Sequence, residues 1–241
     1  MKWDEVFSHT FKALRREIEP KVRKQVDFLL PSMPMIEACR ANEFDFFQPF
    51  LETGKITVEQ MHEACDRYFL GKTRTGRPIF WMIDSTLTPL DAHIGSGWIS
   101  DLLKNREPLL HSVSFPHCLF GLHLLSPVHH HSLSSSSPVS IVESESSAVL
   151  LSLLFPDTLW MAYATTLHLT PDFLAPLSGR RVVIYPRTDP TRSTYLFFLD
   201  YADHVRRLYD IDITIDSTLE DHATEAQKER CIDLIDFLLN K

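Results

Sequence analysis

Apolar residues recur in steps of three and four from Trp3 to about Leu30: Val6, Phe7, Phe11, Leu14, Ile18, Val22, Val26 and Leu29 keep one face apolar. That pattern predicts an amphipathic helix, bent at Pro20. Pro31 and Pro34 interrupt it, and Ile36 to Phe50 then predicts an aromatic-rich second helix. Thr57 followed by Gln60 at the third helical position is a capping-box signature, so a third helix is expected over Val58 to Tyr68. The segment 1–65 is therefore expected to be a helical N-terminal region.

The texture changes at Tyr68. Turn residues between Gly71 and Gly76, a β-rich run from Pro78 to Asp84, and then Gly95 and Gly97 predict strand, turn, strand, turn, strand, a small antiparallel meander. Lys72, Arg74 and Arg77 lie in or near its first turn, and Phe80 and Trp81 follow in the next strand. Cations that track phosphate beside aromatic faces that stack on bases are what a single-stranded nucleic-acid surface needs. Strand aromatics also serve simply as core, so both outcomes stay open. A short helix is expected over Ile99 to Asn105, closing a small α+β region, 66–131.

Four histidines, His111, His117, His123 and His129, recur every six residues, and His129 opens a triplet. Histidine is a good metal ligand, but this triplet runs into Ser132 to Ser137, a Ser-rich stretch with the composition of a linker, and structural metal sites need ligands on rigid elements. Solvent-exposed histidine is the expectation.

From Pro138 to the end the pattern is α/β. Strand Val139–Val142 leads to a helix over Ser146–Phe155, and strand Leu159–Ala164 leads to a short helix from Thr170-Pro171-Asp172 to about Gly179. Strand Val182–Tyr185 leads to a long helix over about Thr194 to Tyr209, with Leu196, Leu199, Ala202, Val205 and Leu208 on its apolar face. Strand Ile211–Ile215 and a helix over about Thr224 to Leu239 close the chain. Repeated strand–helix units predict a parallel sheet with right-handed crossovers and helices on both faces, over 138–241.

Composition narrows the class. The 241 residues are 44% hydrophobic, enough for a substantial core, and no apolar run approaches a membrane span. The charged, amphipathic N-terminus does not resemble a signal peptide, so a soluble, cytoplasmic protein without membrane contact is expected. Cys39, Cys65, Cys118 and Cys231 show no paired spacing and are expected as free thiols. A net charge of −8 argues against coating nucleic acid by bulk charge. The first 24 residues nevertheless carry seven Lys/Arg against four acids, a pattern that fits either a basic arm or a solvated helix face.

The candidate chemistry lies at the strand ends. Glu143 and Glu145 follow the strand Val139–Val142, and Arg187-Thr188-Asp189 follows the strand that ends near Pro186. Open α/β sheets place ligands outside the carboxyl ends of their strands. Acids there can hold Mg²⁺ through one or two carboxylates plus phosphate oxygens, and Glu143, Glu145, Asp189, Glu220, Asp221, Asp233 and Asp236 are the candidates. Acids also flank strands as helix caps.

The segment Val142-Glu143-Ser144-Glu145-Ser146-Ser147-Ala148 resembles the first motif of toprim domains, the catalytic module of bacterial primases and topoisomerases. Ile184-Tyr185-Pro186-Arg187-Thr188-Asp189-Pro190 occupies the place of their second motif, and Asp233-Leu234-Ile235-Asp236 is similar to the Asp-x-x-Asp helix of primase-type members. Upstream, Tyr68 to Gly71, Gly76 to Asp84 and Cys118 to Leu125 look like the region preceding toprim in primase-like proteins of bacterial plasmids and mobile elements. The resemblance covers roughly 66–241.

The resemblance implies a toprim-like sheet, Glu143 as general acid/base, and Asp189, with Asp233 and Asp236, toward Mg²⁺. It implies nucleotidyl transfer or phosphodiester hydrolysis in mobile-element DNA metabolism, with single-stranded nucleic acid or a DNA-processing protein as partner. The chain departs from the motif where it matters. Arg187 replaces the first aspartate of the metal pair, and a cation there repels Mg²⁺. Ser144 and Ser146 also depart, and zinc-ribbon cysteines are lacking. Arg187, helped by Arg192 and by Arg180-Arg181, can instead hold a phosphate directly, or it can bridge to Glu143 or Asp189. A catalytically inactive binding module is thus the alternative expectation.

Overall fold

The computed structural model describes residues 31–106, 115, 117–128, 137–166 and 169–239. The helix expected over Trp3–Leu30, most of the Ser-rich stretch and His111, His129, His130 and His131 lie outside them.

Three helices precede the first sheet: α1 (Met33–Cys39), α2 (Gln48–Glu52) and α3 (Val58–Arg67). α3 carries the expected box, with Thr57 Oγ1 accepting from Gln60 N and Gln60 Oε1 accepting from Thr57 N. The second expected helix is broken. Arg40 leaves α1 in extended backbone and bridges to Gly71, and Ala41 N–H donates to Leu70 O. A sheet contact thus replaces helix continuity between 40 and 44.

Strands β1 (Gly71–Lys72), β2 (Pro78–Ile83), β3 (Pro89–Ile94) and β4 (Gly97–Trp98) form an antiparallel sheet in sequence order, and α4 (Ile99–Arg106) follows. The meander therefore has one strand more than expected. Its aromatics are core: Trp81 is 0% exposed, and Phe80 is half-buried against Phe46 and Phe120. Of the two outcomes left open for these aromatics, the structure shows core: Trp81 packs in one buried cluster and Phe80 against another.

The second sheet holds β5 (Val139–Val142), β6 (Leu159–Ala162), β7 (Arg181–Ile184) and β8 (Asp212–Ile215), all parallel, in the order β6-β5-β7-β8. Phe120 adds an antiparallel bridge to Ala162 at the outer edge of β6. β5 and β6 are buried at every position, as strands covered on both faces must be. β8 alternates, with Ile213 and Ile215 buried and Asp212 and Thr214 exposed, so one face of that outer strand meets solvent.

Helix α5 (Glu145–Leu154) packs on β5 and β6 and against α3, while α6 (Ser193–Leu208) packs on β8. Its buried face is Phe198, Tyr201, Ala202 and Val205; Leu196, Leu199 and Leu208, expected inside, are exposed. An additional helix, α7 (Thr218–His222), precedes the final expected helix, which is split in two: α8 (Glu225–Glu229) and α9 (Leu234–Leu239). Cys231, at φ 51°, takes the left-handed backbone that ends the first of these two pieces.

The main core runs from Phe44 through Tyr68, Leu119, Phe120 and the strands of the parallel sheet to Ile235, with separate clusters around Trp81 and around Leu219, Ile232 and Phe237. Tyr68 ties its two halves together. Its ring stacks on Phe120 at 5.3 Å and its hydroxyl donates to Trp160 O at 2.8 Å. Among the described residues no helix is long and apolar enough to cross a membrane.

Candidate functional site

The order of the parallel strands decides where a ligand can enter. From β5 the chain moves outward to β6, then returns past β5 to β7 and continues to β8. Connections that leave adjacent strands in opposite directions open a crevice at their carboxyl ends, here between β5 and β7. Glu143 follows β5 and Arg187 follows β7, so the topology places both at that point.

A cleft of roughly 190 Å³ lies there, lined by Glu143, Tyr163, Thr166, Arg187, Ser193, Thr194 and Phe197. Arg187 Nε lies 3.3 Å from Glu143 Oε2. This is the salt-bridge alternative raised by the sequence, but it uses only one edge of the guanidinium. Glu143 is the one ion-pair partner of Arg187 among the described residues, and the Arg187 side chain is 45% exposed. Burial pushes the Glu143 carboxyl above its ordinary pKa; Arg187 opposes the shift, and Asp233 and Glu145 add to it.

Tyr163 lies in the wall of the cleft. Its backbone N–H donates to Val142 O at 3.1 Å, and the next residue, Ala164, donates to Glu143 O at 2.9 Å, so the end of β6 is laced to the end of β5. The side chain is 3% exposed and its hydroxyl is buried with no hydrogen-bond partner among the described residues. Burial raises this phenol well above its ordinary pKa, which keeps it neutral and a proton donor. An unmet buried hydroxyl costs about 1–3 kcal/mol. Ala164 (φ 58°) and Arg192 (φ 60°), on either side of the cleft, both hold left-handed backbone, a strain of about 1–3 kcal/mol each at residues with a Cβ.

Asp189 is engaged elsewhere. Its Oδ1 accepts from Thr191 N (2.9 Å), Thr191 Oγ1 (2.6 Å), Ser193 N (3.1 Å) and Ser193 Oγ (3.1 Å), and its Oδ2 accepts from Thr194 N (2.8 Å). Burial alone would raise its pKa, but these donors outweigh it and hold the carboxyl well below the usual range. Asp189 thus caps the first turn of α6. Arg192 faces outward from the same turn, its Nε 3.2 Å from Glu220 Oε2.

Asp233 and Asp236 form a reciprocal cap on α9. Asp236 N–H donates to Asp233 Oδ1 at 3.1 Å, and Asp233 N–H donates to Asp236 Oδ2 at 3.4 Å. Ser147, in the first turn of α5, donates to the other oxygen of Asp233. Burial raises the Asp233 pKa, although these donors act against the shift.

Mg²⁺ needs carboxylate oxygens free to face one ion. Here Glu143 faces a guanidinium, Asp189 accepts five donors, and Asp233 is held by Ser147 and by its own helix. Among the described residues no group of three or more His, Cys, Asp or Glu side chains is arranged to hold a metal. In this arrangement the donor set does not fit the ion.

Lys72, Arg74 and Arg77 contribute nothing to the cleft wall. Arg74 and Arg77 are exposed in the β1–β2 turn, and Lys72 Nζ sits 5.0 Å over the Phe44 ring.

A neighbouring cluster was not anticipated. Glu145, a candidate for Mg²⁺ in the sequence, is buried, and its Oε1 accepts from His93 Nδ1 of β3 at 2.7 Å. That hydrogen bond, against burial, raises the His93 pKa. His93 stacks on Trp98 at 4.9 Å, Trp98 meets His117 edge-on at 4.8 Å, and His117 Nδ1 lies 3.5 Å from the buried Asp91. Tyr163 and His93 carry no sequence motif; the pairing of β6 with β5 brings Tyr163 beside Glu143, and a side-chain contact between β3 of the other sheet and the start of α5 joins His93 to Glu145.

Residues 88–188, less than half of the chain, match the family model described as a domain of unknown function (DUF6371). The matched stretch begins beside β3 and includes His93, Glu143, Glu145, Tyr163 and Arg187, ending just short of Asp189. Among curated proteins none matches the chain.

Proposed function

We propose that this chain is a toprim-like, primase-related module of mobile-element DNA metabolism that binds a phosphate of single-stranded nucleic acid without a metal ion. The observation that carries the reading is the contact between Arg187 Nε and Glu143 Oε2 at 3.3 Å. Glu143 meets the guanidinium at Nε, and in this reading the terminal N–H groups, which match two phosphate oxygens, serve the ligand. In this reading Glu143 positions Arg187 rather than transferring a proton, and Asp189 rigidifies the turn that carries Arg192 and Ser193.

The net charge of −8 makes a local site, not bulk attraction, the source of affinity. Arg74 and Arg77, exposed on the β1–β2 turn, extend the strand's path as phosphate contacts without stacking.

The alternative is Mg²⁺-dependent nucleotidyl transfer or phosphodiester hydrolysis with Glu143 as acid/base. The raised pKa of Glu143 favours it, but it requires Arg187 to leave the carboxylate and Asp189 to give up its donors.

Anisotropy with labelled single-stranded DNA separates the two. The proposal expects binding in EDTA equal to binding in Mg²⁺, weakened by salt. Each phosphate neutralised on a single strand contributes about −0.7 to the log–log salt slope, so Arg187→Ala lowers that slope by about 0.7. Binding that needs Mg²⁺, or Mg²⁺-dependent cleavage or extension of the strand, overturns it in favour of the enzyme.

A further inference from the structure

We infer that the cleft is built for the terminal phosphomonoester of a nucleotide, the phosphate meeting Arg187 and the Tyr163 hydroxyl and the base stacking on Phe197. This rests on the phosphate-binding reading above and specifies which phosphate is recognised.

The argument starts from the Tyr163 hydroxyl. It is a neutral donor, buried in the cleft wall and unmet by any described residue. A ligand oxygen must project inward to reach it. An internal phosphodiester has two non-bridging oxygens and carries a sugar on each side, so it suits an open-ended groove. A terminal phosphate has three free oxygens and a sugar on one side only. It can give two oxygens to the guanidinium fork and still project one to the phenol.

The dimensions and the rim agree. A cleft of roughly 190 Å³ is of the order of one nucleotide unit, not a strand-long channel. Phe197, on the first turns of α6, is 41% exposed at the cleft although the helix has a buried face available, and its ring is steadied by stacking on Tyr201 at 6.1 Å. An aromatic face held open beside a phosphate site is what a terminal base stacks upon. Ser193 and Thr194 add hydroxyls to the wall between them.

The test uses the full chain and short labelled DNA strands bearing a 5′-phosphate, a 3′-phosphate or neither, with nucleoside monophosphates, nucleosides and inorganic phosphate as competitors. A phosphate at one end is expected to tighten binding about tenfold or more, and the matching monophosphate competes where its nucleoside does not. Tyr163→Phe, which keeps the ring and the fold, removes at least fivefold of that preference; Phe197→Ala weakens the monophosphate more than inorganic phosphate. Equal binding of phosphorylated and unphosphorylated ends, still dependent on Arg187, overturns this inference and leaves the strand-binding reading standing. Failure of every strand and of inorganic phosphate to bind removes both.

Discussion

Arg187 and Glu143 meet across the crevice between β5 and β7, Nε to Oε2 at 3.3 Å, where the strand order reverses. One carboxylate meets one guanidinium, and the buried Tyr163 hydroxyl in the wall of the same cleft has no hydrogen-bond partner among the described residues.

Asp189 is a cap before it is anything else. Asp189→Ala removes five accepted hydrogen bonds from the start of α6 and is expected to cost about 1–2 kcal/mol, read as a lower urea midpoint at unchanged slope. Because the folded carboxyl has a depressed pKa, its contribution is fully present above the ordinary aspartate range of about 3.9 and disappears only as pH falls below it. Wild type and variant should therefore converge in strong acid and stay apart at neutral pH.

His93 and Glu145 join the antiparallel sheet to the helix that starts at the site. His93 has a raised pKa in the folded protein. Its contribution is therefore fully present below the unfolded histidine value of about 6.5 and is lost as pH rises through the folded value. The carboxylates facing the ring are Glu145 and Asp91. A double-mutant cycle with His93→Ala and Glu145→Gln should give a coupling of about 1–2 kcal/mol near pH 6 that shrinks by about pH 9. A coupling that grows with pH contradicts the assignment.

Gly121 holds φ 84°, and a Cβ there would lie 3.0 Å from Trp160 O and 3.3 Å from Tyr68 Cε1. Gly121→Ala meets a backbone carbonyl that is itself fixed by the Tyr68 hydroxyl, and should destabilise by about 1–3 kcal/mol. Gly54→Ala, at φ 66° with open space around it, meets the backbone penalty alone and should cost less. Thermal melts of the two variants side by side make the comparison.

Local patterns foretold the elements whose cause is local. The capping box at Thr57, the β-branched run of β5 and the alternation of β8 each state their own structure. The breaks were not legible, because each is imposed from elsewhere. Arg40 leaves its helix to pair with Gly71, and Cys231 turns left-handed before Asp233 recaps the chain. The apolar residues of α6 surround the helix too widely for periodicity to choose a buried face. At the site, spacing singled out Glu143, Arg187 and Asp189 but not their relations. Whether Arg187 meets Glu143 or a ligand, and whether Asp189 faces the cleft or its own helix, depends on strand order and loop path. Tyr163 and His93 escaped notice because a lone aromatic or histidine in an apolar run carries no motif.

In the function proposed above, Arg187, positioned by Glu143, binds phosphate without a metal ion. The Arg187 Nε–H resonance in a ¹H–¹⁵N correlation spectrum, assigned by its disappearance in Arg187→Ala, reports on that group alone. Titration with inorganic phosphate in EDTA should shift it in a saturable way, and titration with Mg²⁺ should leave it in place. A resonance that ignores phosphate but moves with Mg²⁺ would contradict the account.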